Sequence, residues 1–178
     1  MKKLFIASLV GGLLLFIWQF LSWSILGLHA EMQSYTPKQE EILKALGDNL
    51  EEGFYYMPAA PPGTSFEEET KLMESSAGKP WAQVYYHKSM NTNMPLNMGR
   101  GILVDILAVL LLSWVILKMG NPSTQTIIAS SLAIGTIGYL TGIYTNSIWF
   151  EYKTMADLLD TIVSWGLVGT WLAWWLRR

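Results

Sequence analysis

The run Leu4–Leu28, LFIASLVGGLLLFIWQFLSWSILGL, contains no charged side chain, and this restricts the folds open to the chain. At about 1.5 Å per residue, a helix of this stretch is longer than the roughly 30 Å hydrocarbon core of a bilayer, so it can span with some tilt. Lys2 and Lys3 stand before it. The rival reading is a secretory signal cleaved after Ala30, since Leu28-His29-Ala30 loosely fits a small-residue site. A cleavable apolar region is typically about 7–15 residues. This one is far longer and carries Trp18 and Trp23, so a retained anchor is the expectation. One helical face holds Ser8, Gly12, Gln19 and Ser22, which suits packing on another helix better than facing lipid.

Three further apolar blocks follow, at residues 101–118, 124–144 and 156–176. Gly120-Asn121-Pro122 marks the turn after the second block, and a short loop with Asn146, Trp149, Glu151 and Lys153 leads to the fourth. The predicted fold class is a mainly α-helical membrane protein with four transmembrane helices and a small external α/β insert, residues 30–100, between the first and second. Charge is segregated to match. Ten acidic and six basic residues lie between Glu31 and Arg100, against four and six in the rest of the chain. The nine tryptophans suit membrane–water interfaces. With four spans both termini share one side, and Lys2, Lys3, Lys118, Arg177 and Arg178 all hug the membrane there. The positive-inside rule makes that side cytoplasmic, so the expected location is a bacterial inner membrane with residues 30–100 in the periplasm. Most of the six basic residues of the insert sit well away from the span ends. No basic patch points to nucleic acid. With no cysteine, disulfides, a thiol nucleophile and a Cys-type zinc site are all excluded.

The insert reads as helix–strand–helix–strand. Thr36-Pro37-Lys38-Gln39 predicts a capped helix start with Pro in the first turn, and Gly47 is the expected stop. Gly53–Met57 reads as a strand, halted by Pro58 and the Ala-Pro-Pro-Gly turn. Ser65 with Glu68 opens a second helix that ends near Gly78, and residues 82–87 read as a second strand from their Val and Tyr content. A unit of about 70 residues has a thin core, so it is expected to lean on the membrane or a partner.

Small residues form seams on the last two blocks. Ser131, Gly135, Gly138 and Gly142 share one helical face, and Gly166, Gly169 and Ala173 share another. Small residues let helix backbones approach closely in lipid. Such seams serve either packing within the chain or contact with another membrane subunit, including a second copy.

Two constellations invite chemistry. Asp105 and Asp160 are acids within apolar blocks, where insertion costs about 2.5–3.5 kcal/mol at a helix centre. Both lie close to the outer ends of their helices, so favourable placement at a helix N-terminus is the default. Thr154-Met-Ala-Asp157 looks like a cap for the fourth span. As a pair, Asp105 and Asp160 would make a proton or cation site, with Arg100 as counter-ion. The second constellation is His87, Met90, Met94 and Met98, whose thioethers would select a soft ion such as Cu(I). Met also fills irregular gaps, and Asn91, Asn93, Pro95 and Asn97 indicate a loop rather than an ordered ligand face. His29, at the end of the first span, reads as an interface residue rather than a ligand. The run Glu67-Glu68-Glu69 reads as a solvated helix start.

There is no Walker loop, GxSxG or HExxH motif, and neither of the two histidines falls within a span, which excludes a bis-His haem in the bundle. No catalytic, cofactor-binding or metal residue is assigned. The opening LVGGLLLFIWQFLSW, the insert motifs GFYYMP and VYYHK, and the closing DLLDTIVSWGLVGTWLAW together resemble an uncharacterised four-span inner-membrane protein family of Bacteroidetes and Proteobacteria. Many of its members carry a Pro shortly after the first-span Trp, where this chain has Trp23-Ser24-Ile25-Leu26. The resemblance implies an integral inner-membrane protein and brings no activity. The expected function is therefore a non-enzymatic accessory or scaffold subunit. The alternative is a small transporter or copper-handling protein using the two acids or the methionine ladder.

Overall fold

The computed structural model describes Lys2–Arg178. It is mainly helical and divides into two compact units: the described residues up to Ser34 together with Asn93–Arg178, and Tyr35–Thr92.

In the first unit, α1 (Lys2–Phe20) continues into a π-helical turn, Leu21–Ile25. It is joined by α4 (Met94–Lys118), by α5 (Thr124–Gly138) with its π-helical extension Tyr139–Tyr144 and the short α6 (Thr145–Phe150), and by α7 (Met155–Leu176). Among the described residues, three helical stretches are long and apolar enough to cross a membrane: Lys2–Ile25, Met94–Lys118 and Thr124–Phe150. The 22-residue α7 is not among them, because Asp157, Asp160 and four tryptophans lower its hydropathy.

The helices pack as a row: α4 on α1, α1 on α7, α7 on α5. Neighbours run antiparallel, with Gly11 against Val109 and Gly12 against Ile106 on one flank of α1. On its other flank, the Trp171 and Trp175 indoles of α7 donate to the Ala7 and Lys3 carbonyls. Up-and-down packing therefore puts Lys2, Lys3, Lys118, Arg177 and Arg178 at one end. The apolar core, Ala7, Leu15, Val109, Leu112, Ile116, Ile127, Val168 and Leu172, lies towards that end. The opposite end, called the far end below, holds the buried titratable groups.

Two expected boundaries shift. The helix containing the second apolar block begins at Met94, not at residue 101. The Asn93 side chain accepts the Leu96 N–H as a cap, and Pro95 fits the first turn, where its missing N–H would have no partner. Residues 94–100 are thus helix rather than loop. The third block also continues past residue 144 to Phe150, so Asn146 and Trp149 are helical. Thr145 Oγ1 donates to the Leu140 carbonyl at 2.7 Å, taking up an acceptor the π-turn exposes.

The second unit holds α2 (Gln39–Asn49), β1 (Gly53–Met57), α3 (Phe66–Ser76) and β2 (Ala82–Tyr86). The strands pair antiparallel with Phe54 opposite Tyr85 and Tyr56 opposite Gln83. The Ser65/Glu68 capping box forms as the sequence predicts. Gly47 does not end its helix. A Cβ there would stand 2.9 Å from the Tyr86 hydroxyl, so this glycine permits close approach of the β2 side chain. Thr36 Oγ1 accepts the Lys38 N–H, but the helix proper begins at Gln39 with no side-chain cap.

Candidate functional site

The densest polar cluster within one unit is built at the far end of the helical row, around Asp160. Trp18 and Ser22 are four residues apart and so share one face of the first helix. The Trp18 indole N–H donates to Asp160 Oδ1 at 3.0 Å, and the Ser22 hydroxyl reaches both carboxylate oxygens at 2.6 and 2.8 Å. Gly27 then turns the chain back with φ 61°, a left-handed conformation that glycine adopts without a Cβ clash. That turn returns His29 beneath the helix end, where it is 3% exposed. Its Nε2 lies 2.8 Å from Asp160 Oδ2, its Nδ1 lies 3.1 Å from the Met32 sulfur, and its ring stacks on Trp23 at 3.9 Å.

A carboxylate and a thioether both accept hydrogen bonds and donate none. The imidazole ring stands between the two, with one nitrogen towards each. The site therefore ties the end of the first helix to α7 through hydrogen bonds. Its Ser22 hydroxyl is committed to the carboxylate.

Next to this tie lies an open, mostly apolar cleft of about 420 Å³, lined by Leu28, Met32, Leu158, Leu159 and Ile162. Glu31 and Lys153 also line it and meet in an exposed ion pair at 2.8 Å. That hydrogen bond and the charge of Lys153 hold the Glu31 carboxyl below the usual carboxylate range.

Asp105 and Asp160 go to different partners. Asp105 is buried on α4 and accepts from Gln19 Nε2 at 3.2 Å, leaving its Oδ2 unbonded. Arg100 is exposed and forms no ion pair with either acid among the described residues. His29, not Arg100, is the side chain paired with Asp160, and its burial there makes it more than a plain interface residue. Asp160 is an interhelical acceptor rather than a cap. Thr154 does occupy the N-cap position of α7, but its hydroxyl is engaged with Tyr139 at 2.9 Å instead of the helix N–H groups.

The methionine ladder is divided. His87 and Met90 belong to the second unit, Met94 and Met98 to the first. His87 Nδ1 is engaged by Glu52 at 3.0 Å, and the three methionine side chains are exposed. Among the described residues no three His, Cys, Asp or Glu side chains are placed to hold a metal ion.

The seams are divided too. Ser131 donates to the Trp165 carbonyl at 2.7 Å, and Gly169 lies against Ser131 and Ile128. A Cβ on Gly135 would stand 2.3 Å from the Trp165 ring, so this part of the seam is used inside the chain. Gly138 and Gly142 instead face open space.

No family model, curated protein or solved structure matches the chain. Its functional reading rests on this geometry.

Proposed function

We propose that the chain is a four-span inner-membrane protein with cytoplasmic termini, acting as a non-enzymatic accessory subunit that packs on another membrane protein through the end of α5 at Gly138 and its π-helical extension at Gly142. The observation that carries this is the division of the α5 seam. Ser131 and Gly135 are consumed by α7, while Gly138 and Gly142 continue the same helix with nothing against them. Close helix approach in lipid needs such positions. The polar groups within the bundle support a non-enzymatic role, because most tie one helix to another.

Counting α7 as the fourth span is supported by its pairing along its length with α1 and α5. Its Asp160 is paired with His29 and accepts from Trp18 and Ser22, which lowers the cost of burying the acid. The orientation is supported by the five basic residues gathered at one end. Arg178 lies 3.6 Å from the Trp174 ring and Lys118 lies 5.9 Å from the Trp114 ring, an arrangement suited to a cytoplasmic interface.

The test is purification of the full chain at native level in mild detergent. A stoichiometric membrane partner is expected, retained by wild type and lost in Gly138→Leu with Gly142→Leu. Recovery of the chain without any partner ends this reading. A second reading, cation or proton handling, is favoured by the unbonded Oδ2 atoms of Asp105 and Asp157. It requires Asp105→Asn and Asp157→Asn to abolish a flux measured in proteoliposomes while the glycine variants leave it intact.

A further inference from the structure

The unit Tyr35–Thr92 contains four regular elements and yet no buried residue. A soluble domain of this size needs a core of its own to hold its fold. A lone pair of strands is marginal without something packed on its apolar face. The two faces of the sheet differ. Residues opposite one another in an antiparallel pair point the same way, and the direction alternates along each strand. On one face Tyr55, Val84 and Tyr86 are half-buried, with Tyr86 reaching under Gly47. On the other, the Phe54 and Tyr85 rings meet at 4.5 Å and the Tyr56 and Trp81 rings at 5.7 Å. These four rings share one aromatic face as two contacting pairs, from 40% exposed at Trp81 to 71% at Tyr85.

We infer that this aromatic face is a membrane-interface anchor, and that its occupant is the headgroup layer of a zwitterionic bilayer. The inference rests on the membrane reading proposed above. Three observations select lipid. First, both ends of the unit are tethered: Tyr35 follows closely on the turn Ala30–Met32 after the first span, and Thr92 is two residues before α4. Lipid is therefore always within reach, and docking avoids the translational cost that a free partner would bring. Second, the rings are Trp, Tyr and Phe, whose large apolar bodies (with a polar tip on Trp and Tyr) suit the headgroup level. Third, the unit carries nine acidic and five basic residues. That balance is repelled by an anionic surface and tolerated by a zwitterionic one.

The absence of cysteine makes the test direct. Single thiols are introduced into the full chain at Gln83, which lies on the aromatic face and leaves all four rings in place, and at Tyr85. References are Leu107 within α4 and Glu74 on α3. Each variant is spin-labelled and reconstituted into phosphatidylcholine vesicles, and its accessibility to oxygen and to a water-soluble nickel chelate is measured. The expected result is a ratio of oxygen to nickel accessibility several-fold higher at Gln83 and Tyr85 than at Glu74, approaching that at Leu107. Adding Phe54→Glu and Tyr85→Glu to the Gln83 label is expected to abolish the difference. Labels at Gln83 and Tyr85 that match Glu74, while Leu107 reports lipid, overturn the anchor and leave the membrane reading standing. Shielding from both reagents means protein covers the face, and this also overturns it. A Leu107 label that reports water overturns the membrane reading itself.

Discussion

Replacing Asp160 by Asn keeps the side chain's size and removes its charge, and the structure sets what this should cost. The carboxylate receives the Trp18 indole at 3.0 Å, the Ser22 hydroxyl at 2.6 Å and His29 at 2.8 Å, and the His29 side chain is only 3% exposed. Hydrogen bonds to a charged group contribute about 1.5–3 kcal/mol, whereas neutral interhelical bonds in lipid average about 0.6 kcal/mol. An amide also turns one acceptor into a donor, which sets it against a donor already in place. Asp160→Asn should therefore destabilise the bundle by about 2–3 kcal/mol. His29→Ala should cost more, about 3–5 kcal/mol, because it takes away the buried partner of a carboxylate in the bundle. The double variant should be less damaged than the two single effects combined, with a coupling of about 1–3 kcal/mol. The assay is reversible unfolding of the full chain in bicelles by added SDS, followed by far-UV circular dichroism. If Asp160→Asn costs no more than about 0.6 kcal/mol, or if the two substitutions are additive, the pair does not tie the helices together.

The same unfolding assay separates the two halves of the α5 seam. Gly135→Ala should destabilise by about 1–3 kcal/mol, since its Cβ would collide with Trp165. Gly138→Ala, one turn on and unobstructed, should instead gain up to about 1 kcal/mol from helix propensity. Gln19→Leu should cost about 1–3 kcal/mol by leaving buried Asp105 with no donor, whereas Asp105→Leu should be neutral or stabilising. In α3, the Ser65 hydroxyl and N–H hold the Glu68 carboxyl below its ordinary value. A depressed carboxylate stabilises the folded form above its unfolded pKa and loses that contribution as pH falls through the folded one. Amide exchange at the start of α3 should thus accelerate in acid in wild type, and Ser65→Ala, which removes the hydroxyl and keeps the N–H, should weaken the acid dependence.

Much of the helical framework could be read from composition because lipid-spanning length is a local property. The charge-free run after Lys3, the turn at Gly120-Asn121-Pro122 and the Ser65/Glu68 box each act within a few residues. Errors arose where a local signal had two meanings. Pro95 and its neighbouring asparagines suggested a loop, yet Pro in a first turn with an Asn cap is also a helix start. Gly47 suggested a helix stop, but its lack of a side chain is used for packing on Tyr86. The site was harder to read. Arg100 was the obvious counter-ion because it is always charged, while His29 lay outside every apolar run. The available signal was the left-handed candidate Gly27 just before it, which can send the chain back along the helix it has left.

By itself, then, the sequence determined which stretches are apolar helices, where the polar insert lies and that basic residues gather at the chain termini. Those outcomes depend on solvent transfer and on capping between near neighbours. Tertiary structure alone decided that Asp160 meets His29, 131 residues away in sequence, and that Asp105 meets Gln19 instead. It also decided which glycines are spent inside the chain. Antiparallel packing chooses which faces meet, and a buried carboxylate takes whichever donors that packing brings within reach.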